Sequence, residues 1–486
     1  MFVNSTNLLP GRFLGRAALA AMLIASGLAP VSALAADSSE QTTQPNILLI
    51  LTDDMGLGDP SCYGSKVGVP TPHINKIGEE GTRFQHYYSS ACICSASRAG
   101  IITGRYSSEA RLNSYLQTKA GNRVCEQDDF LDTAFPMFPR LLKKAGYTTA
   151  LIGKWHMGGG RDVTYAPHIE KYGYDEAIST WESPQPYPAL GIKFTPWDRQ
   201  VEPGQVVRDK RTEFMVNKTL DYFKENKGKP TFVFLCPDDT HTPHRPSKEM
   251  QAKYGGSDDE RKTPFKNFEG VLDEYDRQIG RLLDGLDSLG MTSNTLVIFT
   301  SDNGPEPHFE HKRSRGLRGM KISLYEGGVN LPFLVRWPGH TPVGKIDNSS
   351  VICGVDFFPT LCHIAGAEIP PDVSSTLEGQ DVTAALEGKP FTRQKKIFWE
   401  YGRHPRGEGY AYPGNPYDVS PNVAMREGNW KLLVNADGSD RELYDIVADP
   451  NETRNVAKQH PDVADRMAAE AIAWRKALPA PHYIVD

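Results

Sequence analysis

Four uninterrupted apolar runs, each closing on charged or histidine side chains, constrain this 486-residue chain more than any other feature. Residues 46–52 end on Asp53 and Asp54, and 148–152 lead into Lys154 and His156. Residues 231–236 are followed by the polar stretch from Asp238 to His244, and 295–300 by Asp302 and Asn303. Short apolar runs without alternation suit strands covered on both faces, as in parallel sheets. Helical periodicity separates them, over 139–145, 212–225 and 267–289. Strands alternating with helices predict a doubly wound α/β domain. Open sheets of that kind bind ligands beyond the carboxyl ends of their strands. Four chemically loaded strand ends therefore predict one shared site.

The ends of the chain read differently. Arg12 and Arg16 precede an apolar stretch at 17–28, and Ala33-Leu34-Ala35 offers a small-x-small cleavage site. The stretch is too short to span a bilayer, so 1–35 reads as a removable export signal. No later run reaches spanning length, and a periplasmic or secreted protein without a membrane span is expected. A polar linker at 37–44 leads into a main domain expected over 45–394. From 395 to 486 come strand-like runs at 396–400 and 430–434, a Gly/Pro/Tyr-rich loop at 402–421 and an amphipathic segment at 461–478. These predict a smaller antiparallel sheet capped by a helix. Pro184-Gln185-Pro186-Tyr187-Pro188 reads as a rigid loop.

Charge and cysteine content narrow the function. The net charge is −6, and becomes −8 once 1–35, whose only charged residues are Arg12 and Arg16, are removed. A chain this acidic is not built for nucleic acid, and an anionic substrate needs a local cluster of cations. Lys312, Arg313, Arg315 and Arg318 are the densest basic run and the expected attractor. The seven cysteines are an odd number, which implies a free or modified thiol and leaves six for up to three disulfides.

Asp53, Asp54, Asp302 and Asn303 supply only oxygen donors, which suit a hard cation, calcium first and magnesium second. Cys94-Ser95-Ala96-Ser97-Arg98 sets a thiol and a guanidinium at i and i+4 of an expected helix start, on one face, where free N–H groups attract anions. Lys154 and His156 stand two apart in Gly-Lys-Trp-His, and extended geometry points them the same way. His241 and His244 lie in Asp-Thr-His-Thr-Pro-His, and Lys321 precedes Glu326-Gly327-Gly328.

Taken together, these motifs resemble the formylglycine-dependent sulfatases of the alkaline-phosphatase-like superfamily. The pentad and the following Thr103-Gly104-Arg105 are similar to that family's Cys-x-Pro-Ser-Arg and Thr-Gly-Arg, with Ala96 where proline is usual. The Asp-Asp pair, Gly-Lys-Trp-His, the histidine segment, Asp-Asn-Gly and Gly-Met-Lys…Glu-Gly-Gly follow in the family's order.

The resemblance implies a mixed doubly wound sheet, Cys94 oxidised to Cα-formylglycine by a maturation enzyme, and a divalent metal held by Asp53, Asp54, Asp302 and Asn303 against the side chain at 94. It implies that a hydroxyl of the hydrated aldehyde attacks sulfur and that His241, helped by Lys321, protonates the leaving alcohol. His156 then accepts the proton whose loss expels sulfate, while Arg98 and Lys154 hold the charge. The substrate expected is a sulfated sugar, on the strength of export, the basic run and the aromatic loops at 165–188 and 401–417. A generic arylsulfatase, a phosphate or phosphonate ester hydrolase, and a non-catalytic binder of sulfated glycans are the alternatives.

Overall fold

The computed structural model describes residues 44–180, 182–191, 203–259, 261–402 and 409–482, so the expected export signal lies outside the described residues. Strands β1 (Asn46–Thr52), β2 (Thr82–Tyr88), β3 (Thr148–Gly153), β4 (Glu176–Ser179), β5 (Thr231–Cys236), β6 (Thr295–Ser301), β7 (Asn330–Arg336) and β8 (Lys345–Cys353) make one sheet. Its order is β4-β3-β5-β1-β6-β7-β2-β8. The four strands predicted from apolar runs are its centre, β3-β5-β1-β6, and all their pairings are parallel. β7 is antiparallel to both β6 and β2, which makes the sheet mixed.

β1 is buried at every residue because both faces are covered. Ile47, Leu49 and Leu51 join Phe232, Phe234, Leu296 and Ile298 on one face, under helices Phe138–Lys144 and Phe357–Ile364. Leu48 and Ile50 join Val233, Leu235, Val297 and Phe299 on the other. Helices Arg211–Glu225 and Pro264–Ser288 cover that second face, the longer one through Phe268, Leu272, Ile279 and Leu283. Each fully buried Leu, Ile or Phe contributes about 1.5–3 kcal/mol. Alternation along each strand thus supplies two cores from one run of apolar residues.

A second, antiparallel sheet contains β9 (Ile397–Glu400), β10 (Val423–Glu427), β11 (Trp430–Val434) and β12 (Glu442–Asp445), in the order β12-β11-β10-β9. Its outer face, with Met425, Leu432 and Leu443, packs on Met467, Ala468 and Ala471 of helix Pro461–Ala477. Its inner face, with Trp399, Ala424 and Leu433, packs on Tyr88 and Tyr325 of the main body. Lys431 on that inner face is fully buried, 2.9 Å from Glu326 Oε1 and 3.0 Å from Glu452 Oε1. Tyr88 donates to Glu326 Oε2 at 2.8 Å.

All seven cysteines are free thiols, so the six left beside Cys94 form no disulfide. Their stabilising role falls to apolar burial, which a domain of this size can supply. No helix among the described residues is long and apolar enough to cross a membrane.

Removing one member of a buried ion pair strands its partners, at a cost of about 3–5 kcal/mol. Lys431→Met should therefore lower unfolding free energy by about that amount, measured as a fall in the urea midpoint at unchanged m-value.

Candidate active site

The carboxyl ends of the four central strands converge on a cavity of about 370 Å³. Asp53 and Asp54 follow β1, Lys154 follows β3, Asp238 to His241 follow β5, and Asp302 and Asn303 follow β6. Cys94 opens helix Cys94–Thr103, and Lys321 comes from the loop that precedes helix Glu326–Val329. Asp53, Cys94, Lys154, His156, His241 and Lys321 line the cavity, whereas Asp54, Arg98, Asp302 and Asn303 form a buried floor beneath it.

The helix start explains the tolerance of Ala96. The first intrahelical bond is Ser97 N–H to Ile93 O, 2.9 Å. Position 96 precedes it, in the turn whose N–H groups have no intrahelical acceptor, so proline and alanine serve equally there. Cys94 and Arg98 sit one turn apart as expected, but Arg98 does not reach the cavity. Its Nε donates to Asp302 Oδ2 at 2.9 Å and its Nη1 to Lys154 O at 2.7 Å, so it braces the floor.

Lys154 and His156 converge by a different route from strand alternation. β3 ends at Gly153, whose φ is 112° and whose added Cβ would lie 2.1 Å from Cys236 O. That close approach lets Lys154 N–H donate to Cys236 O at 2.8 Å. His156 then adopts φ 54°, and Asp54 adopts φ 58°. Left-handed backbone at non-glycine residues is costly and collects at functional sites.

Charge is matched locally. Lys154 Nζ lies 2.8 Å from both Asp53 oxygens, and Lys321 Nζ lies 2.7 Å from Asp54 Oδ2. Burial works against ionisation of Asp53, yet Lys154, His241, Arg98 and Lys321 outweigh it and hold the carboxyl far below its usual range. Burial likewise opposes the charge on Lys154, and Asp53 and Cys94 overcome it and push its pKa up. Burial raises the Cys94 thiol, but Lys154, His156 and Lys321 bring it down to about 7. His241 Nδ1 faces Thr242 O at 2.7 Å, which leaves Nε2 toward Lys321 Nζ at 3.1 Å.

Asp53, Asp54 and His241 bring one ligand atom each within 4.8 Å of one another. Asp302 is committed through Oδ2 to Arg98 and through Oδ1 to the Asp54 N–H at 3.2 Å. Asn303 Nδ2 donates to Asp54 Oδ1 at 2.6 Å and to Gly304 O at 2.8 Å, and its Oδ1 is buried without a hydrogen-bond donor. An orphaned acceptor beside two buried carboxylates is the donor chemistry a hard cation takes. The residues fit such an ion.

Comparison with known proteins agrees with the geometry. A family model described as sulfatase matches residues 45–367. The chain belongs to the sulfatase family. A second model, N-sulphoglucosamine sulphohydrolase C-terminal, matches residues 320–476 of this sulfatase. It is 27% identical to an N-acetylgalactosamine-6-O-sulfatase of Bacteroides thetaiotaomicron, over 89% of this chain and 93% of that protein. It is 29% identical to human arylsulfatase A, over 84% and 77% of the two chains. A solved structure of Ps i-CgsB in complex with k-i-k-neocarrahexaose superposes with a TM-score of 0.73 at 25% identity, covering 91% of this chain and 95% of that one.

Two sequence expectations need correction. The basic run of this sulfatase is no surface attractor. Arg313 is fully buried on Asp59 at 3.0 Å and donates to Asp54 O at 2.6 Å. Arg315 donates to Tyr63 O, Lys312 lies over Phe265, and Arg318 stacks on Tyr325 and Tyr417. In the loop at 401–417, Tyr401 and Tyr410 also pack internally. Tyr410 donates to Cys125 O and Tyr401 to Ala411 O, and among the described residues of that loop it is Ala411 that lines the cavity. His244 is buried against Phe268 and Phe309, outside the lining.

Conversely, Tyr115, Arg161, Thr180, Glu182, Arg208, Arg211, Asp238 and Glu306 line the wall without a motif to flag them. Asp238 alone carried a signal, an Asp-Asp pair after a strand. Arg211 grips it through Nε at 3.1 Å and Nη2 at 2.8 Å, so it is an ion-paired wall.

Arg98→Leu should leave Asp302 Oδ2 and Lys154 O buried without a donor. The expected loss is about 3–5 kcal/mol of stability, read in urea unfolding, alongside the loss of activity.

Proposed function

We propose that this sulfatase is an exported, exo-acting carbohydrate sulfatase. In this reading Cys94, converted to formylglycine by a maturation enzyme, is the nucleophile, and calcium is held by Asp53, Asp54, Asp302 and Asn303. The observation that carries it is the convergence of Cys94, Lys154, His156, His241 and Lys321 around Asp53, with Asp54 buried beneath them. The export signal at 1–35, a catalytic domain at 45–394 and a smaller unit at 395–486 belong to the same proposal.

When present, the hydrated aldehyde supplies a strong nucleophile and the metal supplies Lewis acidity. The chain's own residues do the rest. Lys154 and Lys321 present fixed ammonium groups to the sulfate oxygens, held in place by Asp53 and Asp54. Such preorganised charge stabilises the charge that develops on the oxygens. His241 keeps Nδ1–H on Thr242 O, so Nε2 is the nitrogen turned to the leaving alcohol oxygen beside Lys321. The ring in its imidazolium form gives that oxygen the Nε2 proton and is left neutral with Nδ1–H still on Thr242 O. His156 takes a proton from the side chain at 94 on the opposite wall. Arg98 holds Asp302 and the Lys154 backbone in register.

The cavity, about 370 Å³ and open to solvent on one side, is of a size for a single terminal sugar. Arg161, Thr180 and Glu306 on its wall offer hydrogen bonds to hydroxyls. Named relatives include a sulfatase of N-acetylgalactosamine-6-O-sulfate, which supports a sugar substrate here.

Native mass spectrometry of protein made with its maturation enzyme should show a loss of about 18 Da at Cys94, the thiol-to-aldehyde change, and one bound calcium. Cys94→Ala should lower turnover by at least about a thousandfold while the unfolding midpoint holds. Stoichiometric zinc without calcium or magnesium would refute the metal assignment.

A screen of sulfated mono- and oligosaccharides beside an aryl sulfate and matched phosphate esters should find a monosulfated terminal sugar as the best substrate. Turnover of the aryl ester with none of any sugar would leave a generic arylsulfatase. Preference for phosphate would point to the phosphohydrolase alternative.

A further inference from the structure

Glu182 has no part in the mechanism above, yet it holds His156 twice. The His156 N–H donates to Glu182 O at 3.0 Å, and Glu182 Oε2 lies 2.9 Å from His156 Nε2. The carboxylate's other oxygen, Oε1, is 3.0 Å from Arg161 Nη2. Leu116 O also faces His156 Nε2, at 3.3 Å. Two acceptors on one nitrogen leave Nδ1, buried and without its own partner, as the nitrogen available to the side chain at 94.

We propose that Glu182 is a positioning residue that fixes the ring and tautomer of His156, with Nε2–H given to the carboxylate and the Nδ1 lone pair turned to position 94. The proposal rests on the sulfatase reading above. A neutral imidazole carries one N–H, so a carboxylate at Nε2 makes Nδ1 the acceptor. Glu182 is fit for this because it stays ionised. Burial opposes its charge, but His156, Lys154 and Arg161 hold its pKa down at about 2. Burial opposes the charge on His156, while Glu182 and the Cys94 thiolate push its pKa up to about 9; the thiolate's share of that rise disappears when the side chain at 94 is converted.

Arg161 sharpens the prediction for an amide. In Glu182→Gln the amide oxygen would turn to Arg161 and the NH2 group to His156 Nε2, which reverses the tautomer. Glu182→Asp keeps a carboxylate and should recover part of the function.

The test compares parent, Gln and Asp proteins of equal conversion by intact mass and equal thermal midpoint. On a small aryl sulfate, Glu182→Gln should lower kcat about 10- to 100-fold with KM within about twofold, and Asp should be intermediate. Selective 15N-histidine spectra, assigned with His156→Gln, should show a downfield Nε2–H resonance in the parent that Glu182→Gln loses. A raised KM at unchanged kcat would overturn the proposal in favour of a substrate contact. An unchanged kcat, or an unchanged Nε2–H resonance in Glu182→Gln, would also overturn it. A converted parent that cleaves no sulfate ester would instead remove the sulfatase reading, and the spectra would still decide what Glu182 does to His156.

Discussion

Buried charge compensation at the ends of four parallel strands is the constraint on which the rest of this structure depends. Asp53, Asp54 and Asp302 are nearly solvent-free, and each has a cation within hydrogen-bond reach or, for Asp302, a guanidinium held by two contacts. Left unpaired, any one of these groups would cost more than a large core residue contributes. The strands cannot slide in register, because β1 and β6 align residue for residue from Asn46–Thr295 to Thr52–Ser301. Slippage would carry Asp302 away from Arg98. The apolar faces therefore supply the stability, and the charges specify the alignment.

The smaller sheet extends this logic. Lys431 reaches from β11 to Glu326, in the helix that follows the Lys321 loop. Arg318, three residues before Lys321, is held by Tyr444 and Glu452 of the same unit. The cation that faces Asp54 is thus placed through Arg318 by contacts made 126 and 134 residues later in the chain. The C-terminal region is part of the site's support.

How much of this was legible depended on whether neighbours in sequence are neighbours in space. The central strands were readable because burial on both faces leaves a plain apolar run, and their polar ends carried the site with them. β2 and β8 were not, since Arg83, Gln85 and His86 interrupt one and the half-exposed pattern of Lys345–Cys353 hides the other. β7 carries Pro332, which ordinarily argues against an inner strand. Two Asp-Asp pairs follow strands, and only tertiary partners separate them: Asp53-Asp54 meets lysines and Asn303, whereas Asp238-Asp239 meets Arg208, Arg211 and Thr212. The basic run misled for the same reason. Its spacing could not reveal that Arg313 turns inward to Asp59. Glu182 had no local signal at all, because its meaning lies in His156, 26 positions earlier.

Glycine sets a boundary on what such an enzyme can become. An added Cβ at Gly304 would lie 2.2 Å from Gly327 O, at Gly327 2.1 Å from Gly319 O, and at Gly328 2.0 Å from Ser323 O. Three stretches of main chain, bearing Asn303, Lys321 and Glu326, therefore touch with no side chain between them. Nothing there can be enlarged in small steps. The wall at Tyr115, Thr180 and Glu306 hangs from loops and can be rewritten one residue at a time. A lineage built on this frame can change the sulfate ester it selects many times over, while the group it removes stays the same.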